Sequence, residues 1–362
     1  MIKSLYVDHY RCLENFTVDF ADRSSVLLLG RNGAGKSTVL NVLLLLQRMA
    51  FGEVDIGELF ALTDFSFGET SRPITIRIEF TRRGVAFAYQ IVVENRQGRL
   101  WVASEWARCD DNVVMNRTPE ADASSTRLSP TVLLLPLISG MDDPLAQIRD
   151  WLKGIVIVAP QPSLMKSSAR YSGARLMVDA RNCLEWFAEI QDGNLGTIAK
   201  IISALQTTFS DEIKSISWSE TGGVRHMKLF FKRATGDDLE LDFDGLSDGE
   251  KCFVLAAFLS VKVAEDQDTV CFWDEPDNYL AVSEVARFIT VLKKVFRRNS
   301  GCLIVTSHNV EGIQTFGVEE TLVISRKAHS ESATIAEFAA IAPDGKNFLR
   351  KLLTGDLYDE QR

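Results

Sequence analysis

No apolar run in this chain is long enough to cross a bilayer. The most continuous ones, Val26–Leu29, Val39–Leu46 and Thr131–Ile138, fall far short of the ~20 residues that a membrane helix needs. Paired cysteines are missing too. Cys12, Cys109, Cys183, Cys252, Cys271 and Cys302 are scattered with no C-x-x-C, which speaks against a disulfide framework or a zinc site and for a reducing cytoplasm. Met1-Ile2-Lys3-Ser4 runs at once into charged and polar residues, so no signal peptide and no membrane partner are expected. Low-complexity tracts and repeats of solenoid period are absent. There is no surplus of basic charge either: 40 Lys and Arg against 49 Asp and Glu leave a net charge of −9. That balance disfavours non-specific coating of nucleic acid, though a local basic groove stays open. What remains is an ordinary globular composition, 46% hydrophobic and 25% charged over 362 residues, long enough for about two to three domains.

Against that background one stretch stands out. Gly30-Arg31-Asn32-Gly33-Ala34-Gly35-Lys36-Ser37 spells a complete P-loop. The apolar run Ser25–Leu29 before it reads as a buried strand, and Thr38–Met49 after it reads as a helix. The motif works only in that strand–loop–helix setting. Its glycines let backbone N–H groups curl around phosphate oxygens, Lys36 reaches the β- and γ-phosphates, and Ser37 is placed to ligate Mg²⁺. A nucleoside triphosphate is the implied ligand; adenine and guanine are not distinguished by these residues.

Three further segments follow in order. Leu246-Ser247-Asp248-Gly249-Glu250 leads into an apolar helix over Lys251–Ala264; Val270–Asp274 is a buried strand ending in Asp274-Glu275-Pro276; Cys302–Thr306 is a strand followed by Ser307-His308. Singly, each has an ordinary reading. Ser247-x-x-Glu250 is a capping box, the two carboxylates could simply enter a turn, and His308 could be a satisfied polar residue. Their joint order behind a P-loop is far more specific.

The set resembles the ABC-type ATPases: Walker A, a signature motif (here LSDGE), Walker B with its adjacent glutamate, and a switch histidine. Transporter subunits of that group hold Walker A and signature much closer together than Gly30 and Ser247 stand here. SMC proteins fill the gap with coiled coil, whereas this chain has no sustained heptads there, and Gly193, Gly196, Gly222 and Gly223 interrupt the helical candidates. The details are most similar to the RecF/OLD-like, SMC-related branch. They are the opening Leu5-x5-Arg11-Cys12-Leu13-Glu14-Asn15-Phe16, Asn32 in the P-loop, Asp274-Glu275-Pro276-Asp277-Asn278-Tyr279-Leu280, and Thr306-Ser307-His308-Asn309. Ala281 departs from the pattern, since relatives carry His or Asp after that leucine.

The resemblance implies an α/β fold of the P-loop NTPase, ABC-type head kind: a mixed central sheet with flanking helices, an antiparallel β-lobe and a helical insertion. The lobe would take Pro73–Phe80, Val85–Glu94 and Arg99–Arg108, with turns at Arg83-Gly84 and Gln97-Gly98. The implied divisions are an N-terminal lobe over 1–162, a variable basic insertion over 163–215 (Lys166, Arg170, Arg175, Arg181), a C-terminal lobe over 216–340, and a tail over 341–362 with a short helix at Asn347–Tyr358. The basic cluster Lys293, Lys294, Arg297 and Arg298 reads as the outer face and C-terminal end of a helix.

Residue by residue, the resemblance implies that Arg11, Arg31, Asn32, Gly33, Ala34, Gly35, Lys36, Ser37 and Thr38 bind ATP in one protomer. Ser247, Gly249 and Glu250 would meet the γ-phosphate of ATP held by a partner protomer. Ser37, Asp274 and Gln161 would hold Mg²⁺, with Gln161 at the end of a strand over Gly154–Ala159; Glu275 would polarise the attacking water; His308 would sense the γ-phosphate; Lys36 would neutralise developing charge. A head-to-tail homodimer sandwiching ATP follows. No nuclease-type acidic cluster or Ser-His-Asp or Cys-His set is legible outside these motifs. The expected role is therefore a switch or sensor subunit controlling a separate nuclease or toxin, as in bacterial anti-phage modules. The alternative is a RecF-like, ATP-dependent DNA clamp in repair.

Overall fold

Alternating apolar and polar residues in the first third of the chain build a twisted antiparallel sheet. A computed structural model of the protein describes residues 1–20, 22–118, 129–138, 143–169, 175–192, 196–208, 213–233 and 236–341. It divides into two units, Met1–Ile155 with Gly317–Arg362, and Val156–Phe316. The helix expected at Asn347–Tyr358 and the basic residue Arg170 lie outside the described residues.

In the first unit, strands β1 (Ile2–Asp8), β2 (Phe16–Asp19), β4 (Ile74–Arg82), β5 (Val85–Arg96), β6 (Arg99–Cys109) and β7 (Asn112–Arg117) form a sheet in the order β2-β1-β4-β5-β6-β7. All its pairings are antiparallel. Every second residue of β4 is buried, the period a half-buried strand requires. The β4–β5 and β5–β6 turns use Arg83-Gly84 and Gln97-Gly98, each with both residues at positive φ, as two-residue hairpins of right-handed strands demand. Helix α2 (Pro144–Gly154) lays Trp151 flat on Phe80 of β4, ring centroids 3.7 Å apart. A buried Glu105 accepts bonds from Tyr89 and from the backbone of Leu134 and Leu135, with Arg117 alongside; this pins the 129–137 segment to the lobe.

The same unit holds β3 (Ser25–Leu29), fully buried, and the helix α1 (Lys36–Ala50) that follows it. Strand β15 (Thr321–Ser325) pairs parallel with β3, and β16 (Thr334–Glu337) folds back antiparallel on β15.

In the second unit, β8 (Val156–Val158), β13 (Val270–Asp274) and β14 (Cys302–Thr306) run parallel in that spatial order. All three strands are apolar throughout except at the ends of β13 and β14, as strands covered on both faces are. Helices α5 (Asp248–Glu265) and α6 (Val282–Arg298) feed β13 and β14. Phe187 of α3 (Cys183–Asp192) stacks on Phe258 of α5 at 3.9 Å, and α4 (Thr197–Thr208) follows α3. A separate antiparallel sheet, β10 (Ile213–Thr221), β11 (Val224–Lys232) and β12 (Asp238–Asp242), gains the two-residue strand β9 (Ser168–Ala169) on β11.

Candidate functional site

The phosphate-binding loop leaves the C-terminal end of β3. A Cβ on Gly30 would stand 2.5 Å from the carbonyl oxygen of Ile324 on the neighbouring β15, so only glycine lets the chain turn away there. Gly35 has φ 121° and N-caps α1 without a side chain; no acidic residue occupies the first turn of that helix. The positive end of α1 is thereby left for an anion. Lys36 is buried, and its Nζ donates to the carbonyls of Gly30 at 2.6 Å and Arg31 at 3.3 Å, closing the loop on itself. Asn32, Gly33 and Ala34 make the crown of this loop, and Ser37 and Thr38 open the helix.

The opening turn packs against the same loop. Cys12 Sγ stands 3.3 Å from the position of a Cβ on Gly35 and 3.6 Å from Thr38 Oγ1. Arg11, at φ 53°, spends its guanidinium on Asp64: Nε donates to Oδ1 at 2.8 Å, and the backbone N–H bonds the Asp64 carbonyl. The β15–β16 loop approaches from the other side. Ala333 N–H donates to the Cys12 carbonyl at 2.7 Å, Ser332 donates to Glu14, and the His329 ring reaches within 3.8 Å of a Cβ built on Gly33. The Ser332 bond, helped by His9 and Arg72, holds the Glu14 carboxyl below its ordinary value.

The second unit gathers the carboxylates and the histidine at the C-terminal ends of its parallel strands, where open α/β sheets bind ligands. Asp274 closes β13, and its Oδ1 accepts from Thr306 Oγ1 at the end of β14. Glu275 stands at φ 48°, a left-handed conformation unusual for a side chain of its size. Its N–H donates to the same Thr306 hydroxyl at 3.0 Å. Its carboxylate accepts from Asn278 at 2.6 Å and lies 3.4 Å from His308 Nε2. Glu275 and His308 are both partly open to solvent, at 35% and 44%. Gln161 follows β8 with an exposed side chain, its N–H bonded to the Asp179 carbonyl.

The signature segment forms the capping box that its spacing predicts. Ser247 Oγ and N–H both donate to Glu250 Oε2, at 2.8 and 2.7 Å. Ser247 is exposed at the N-terminus of α5. A Cβ on Gly249 would meet the Tyr279 carbonyl at 2.9 Å, so this glycine carries the signature turn against the segment after Walker B. Ala281 N-caps α6 through its backbone alone, its N–H bonded to Glu284.

These residues suit the groups that the motifs imply. Glycines with positive φ around an uncapped helix end fit a triphosphate, and Asp274 and the Ser37 hydroxyl are oxygen donors of the kind Mg²⁺ selects. Among the described residues no cluster of three or more His, Cys, Asp or Glu could hold a metal by itself. The cysteines are all free, and burial pushes the Cys183, Cys252 and Cys302 thiols up to about 12, which leaves them protonated and unreactive. Sequence reasoning passed over Thr306 as the bridge between Asp274 and Glu275, and over the approach of the 326–333 loop to the P-loop. Thr306 belongs to a quoted motif, but nothing in the loop's spacing announces its partner.

Residues 1–128 match the family model AAA_15, described as an AAA ATPase domain. No curated protein gives a significant match. Among solved structures, an SMC head bound to the C-terminal winged-helix domain of ScpA is similar at TM-score 0.61 and 14% identity, over 92% of this chain and 97% of that one. The SMC head with extended coiled coil from Pyrococcus furiosus, bound to the C-terminal domain of ScpA, is similar at TM-score 0.56 and 11% identity, over 98% and 99%. The Thermotoga maritima SMC head domain follows at 0.50 and 16%, over 93% and 98%. The fold is therefore that of the SMC head domains. No helix among the described residues is long and apolar enough to cross a membrane.

Proposed function

We propose that this chain is a Mg²⁺-dependent ATPase in which the P-loop binds the triphosphate and the Glu275–His308 pair activates water. The observation that carries the reading is this pair, 3.4 Å apart and partly solvent-open, beside the Walker B carboxylate Asp274. Lys36 and the α1 N-terminus bear the phosphate charge, with Arg31, Asn32, Gly33, Ala34, Gly35 and Thr38 shaping the cradle. Ser37, Asp274 and Gln161 would hold Mg²⁺, which would supply positive charge against the phosphates. Glu275 orients and polarises the water, and His308 reads the γ-phosphate. Arg11, committed to Asp64, contributes by bracing the opening turn more than by direct contact with nucleotide.

Ser247, Gly249 and Glu250 present a helix N-terminus to the ATP of a second copy, giving a head-to-tail homodimer that ATP assembles and hydrolysis releases. Such a dimer suits a cytoplasmic switch that controls a separate effector, a nuclease or toxin in anti-phage defence. The structural relatives support the partner-driven part of this reading, because two of them are SMC heads bound to a separate protein, ScpA. The test is light scattering on Glu275→Gln with ATP and Mg²⁺. The variant should bind ATP and stall as a dimer; a monomer at saturating ATP would sink the sandwich.

A further inference from the structure

The last residue of β14 and the two that follow it reach across to the end of β13 and the turn after it. Thr306 bonds Asp274 and Glu275, and His308 meets Glu275, as described above. Between them Ser307, fully buried, donates its hydroxyl to Asp277 Oδ2 at 3.0 Å. The same hydroxyl accepts the N–H of Asn309 at 3.0 Å, so one oxygen holds both flanks of His308. A Cβ on Gly312 would stand 2.8 Å from it, and the glycine gives the room in which Ser307 is boxed. Asp277 is only 6% exposed, and its second oxygen, Oδ1, is buried with no hydrogen-bond partner. A buried carboxylate is costly unless it is hydrogen-bonded, and the Ser307 hydroxyl supplies that bond.

We infer that Asp277 is a positioning residue for ATP hydrolysis: through Ser307 it fixes the turn that aims His308 at Glu275. This rests on the reading of Glu275 and His308 given above. Without the carboxylate, the Ser307 hydroxyl would turn to its other acceptor in reach, the Asn309 carbonyl at 3.4 Å. The turn would then re-set, and His308 would lose its distance to Glu275. A misplacement of about 1 Å at a water-activating pair suffices to slow chemistry without weakening substrate binding. Burial, with the charge of Glu275 beside it, pushes the Asp277 carboxyl above its ordinary value, while the Ser307 bond pulls the other way. The role needs an acceptor more than a charge, so asparagine should serve in its place.

The experiment is steady-state ATPase kinetics on the full chain with Asp277→Ala, Asp277→Asn, Ser307→Ala and the double alanine variant. Asp277→Ala and Ser307→Ala should each lower kcat about tenfold or more, with KM for ATP inside about twofold. The double variant should be no slower than either single, because both cut one link. Asp277→Asn should restore most of the rate. Should Asp277→Ala fail to fold, Ser307→Ala and Asp277→Asn carry the comparison. A wild-type kcat in Ser307→Ala, or losses that multiply in the double variant, would overturn the inference while Glu275→Gln stays inactive. An active Glu275→Gln would instead remove the underlying reading of the site.

Discussion

Glu275 joins, at the residue scale, a left-handed backbone conformation to a carboxylate bonded on several sides. A non-glycine residue at φ 48° costs of order 1–3 kcal/mol and persists only where its surroundings hold it, as Thr306, Asn278 and His308 do here. Asp277 is the second costly residue. Its carboxyl is raised by burial, so the native state keeps that proton longer than the unfolded chain does. Stability then falls as pH climbs from the ordinary 3.8 through the folded value. Asp277→Asn should accordingly melt higher than wild type at neutral pH, with the advantage vanishing as pH drops below 3.8. Thermal melts across a pH series read this directly; an advantage independent of pH would contradict it. The P-loop and the Asp274-Glu275 pair were legible in sequence because each uses residue types that few other roles demand in that spacing. Asp277 and Ser307 were visible as members of the same motifs, but their bond depends on two strand ends lying side by side.

Elements followed the sequence closely wherever the local signal was strong. The hairpins at Arg83-Gly84 and Gln97-Gly98 form because alternation and turn chemistry agree, and the strand Ser25–Leu29 forms at its expected limits. The strand expected over Gly154–Ala159 shortens to Val156–Val158, since α2 continues through Gly154. The helix after the signature starts at Asp248, before the expected Lys251, because the capping box sets its origin at Ser247. Pairings such as β9 on β11 escaped because a two-residue strand leaves no periodic trace. Lys293, expected on an outer helix face, donates to the Thr315 carbonyl and covers the Phe316 ring, a tertiary cap that spacing could not announce. The capping box supports a prediction at this scale. Ser247→Ala should lower unfolding stability by about 1 kcal/mol, read by denaturant titration, while Glu250→Gln keeps the box and should cost little. A large loss in Glu250→Gln would show that its charge, not its hydrogen bond, anchors α5.

The whole molecule divides its motifs between two units: the P-loop in Met1–Ile155 with Gly317–Arg362, the Glu275–His308 pair in Val156–Phe316. The fold was legible from the order of the motifs, since their sequence along the chain is what defines an ABC-type head. The biological role was not, because partner surfaces in general are written in no recurring pattern of residues. The central claim is that the chain hydrolyses ATP and that Lys36 and Glu275 are both needed for it. Its most direct test is the Mg²⁺-dependent ATPase rate of the wild-type chain beside Lys36→Ala and Glu275→Gln. The account predicts turnover in wild type and a loss of about a hundredfold or more in each variant. Wild-type turnover in either one would contradict it.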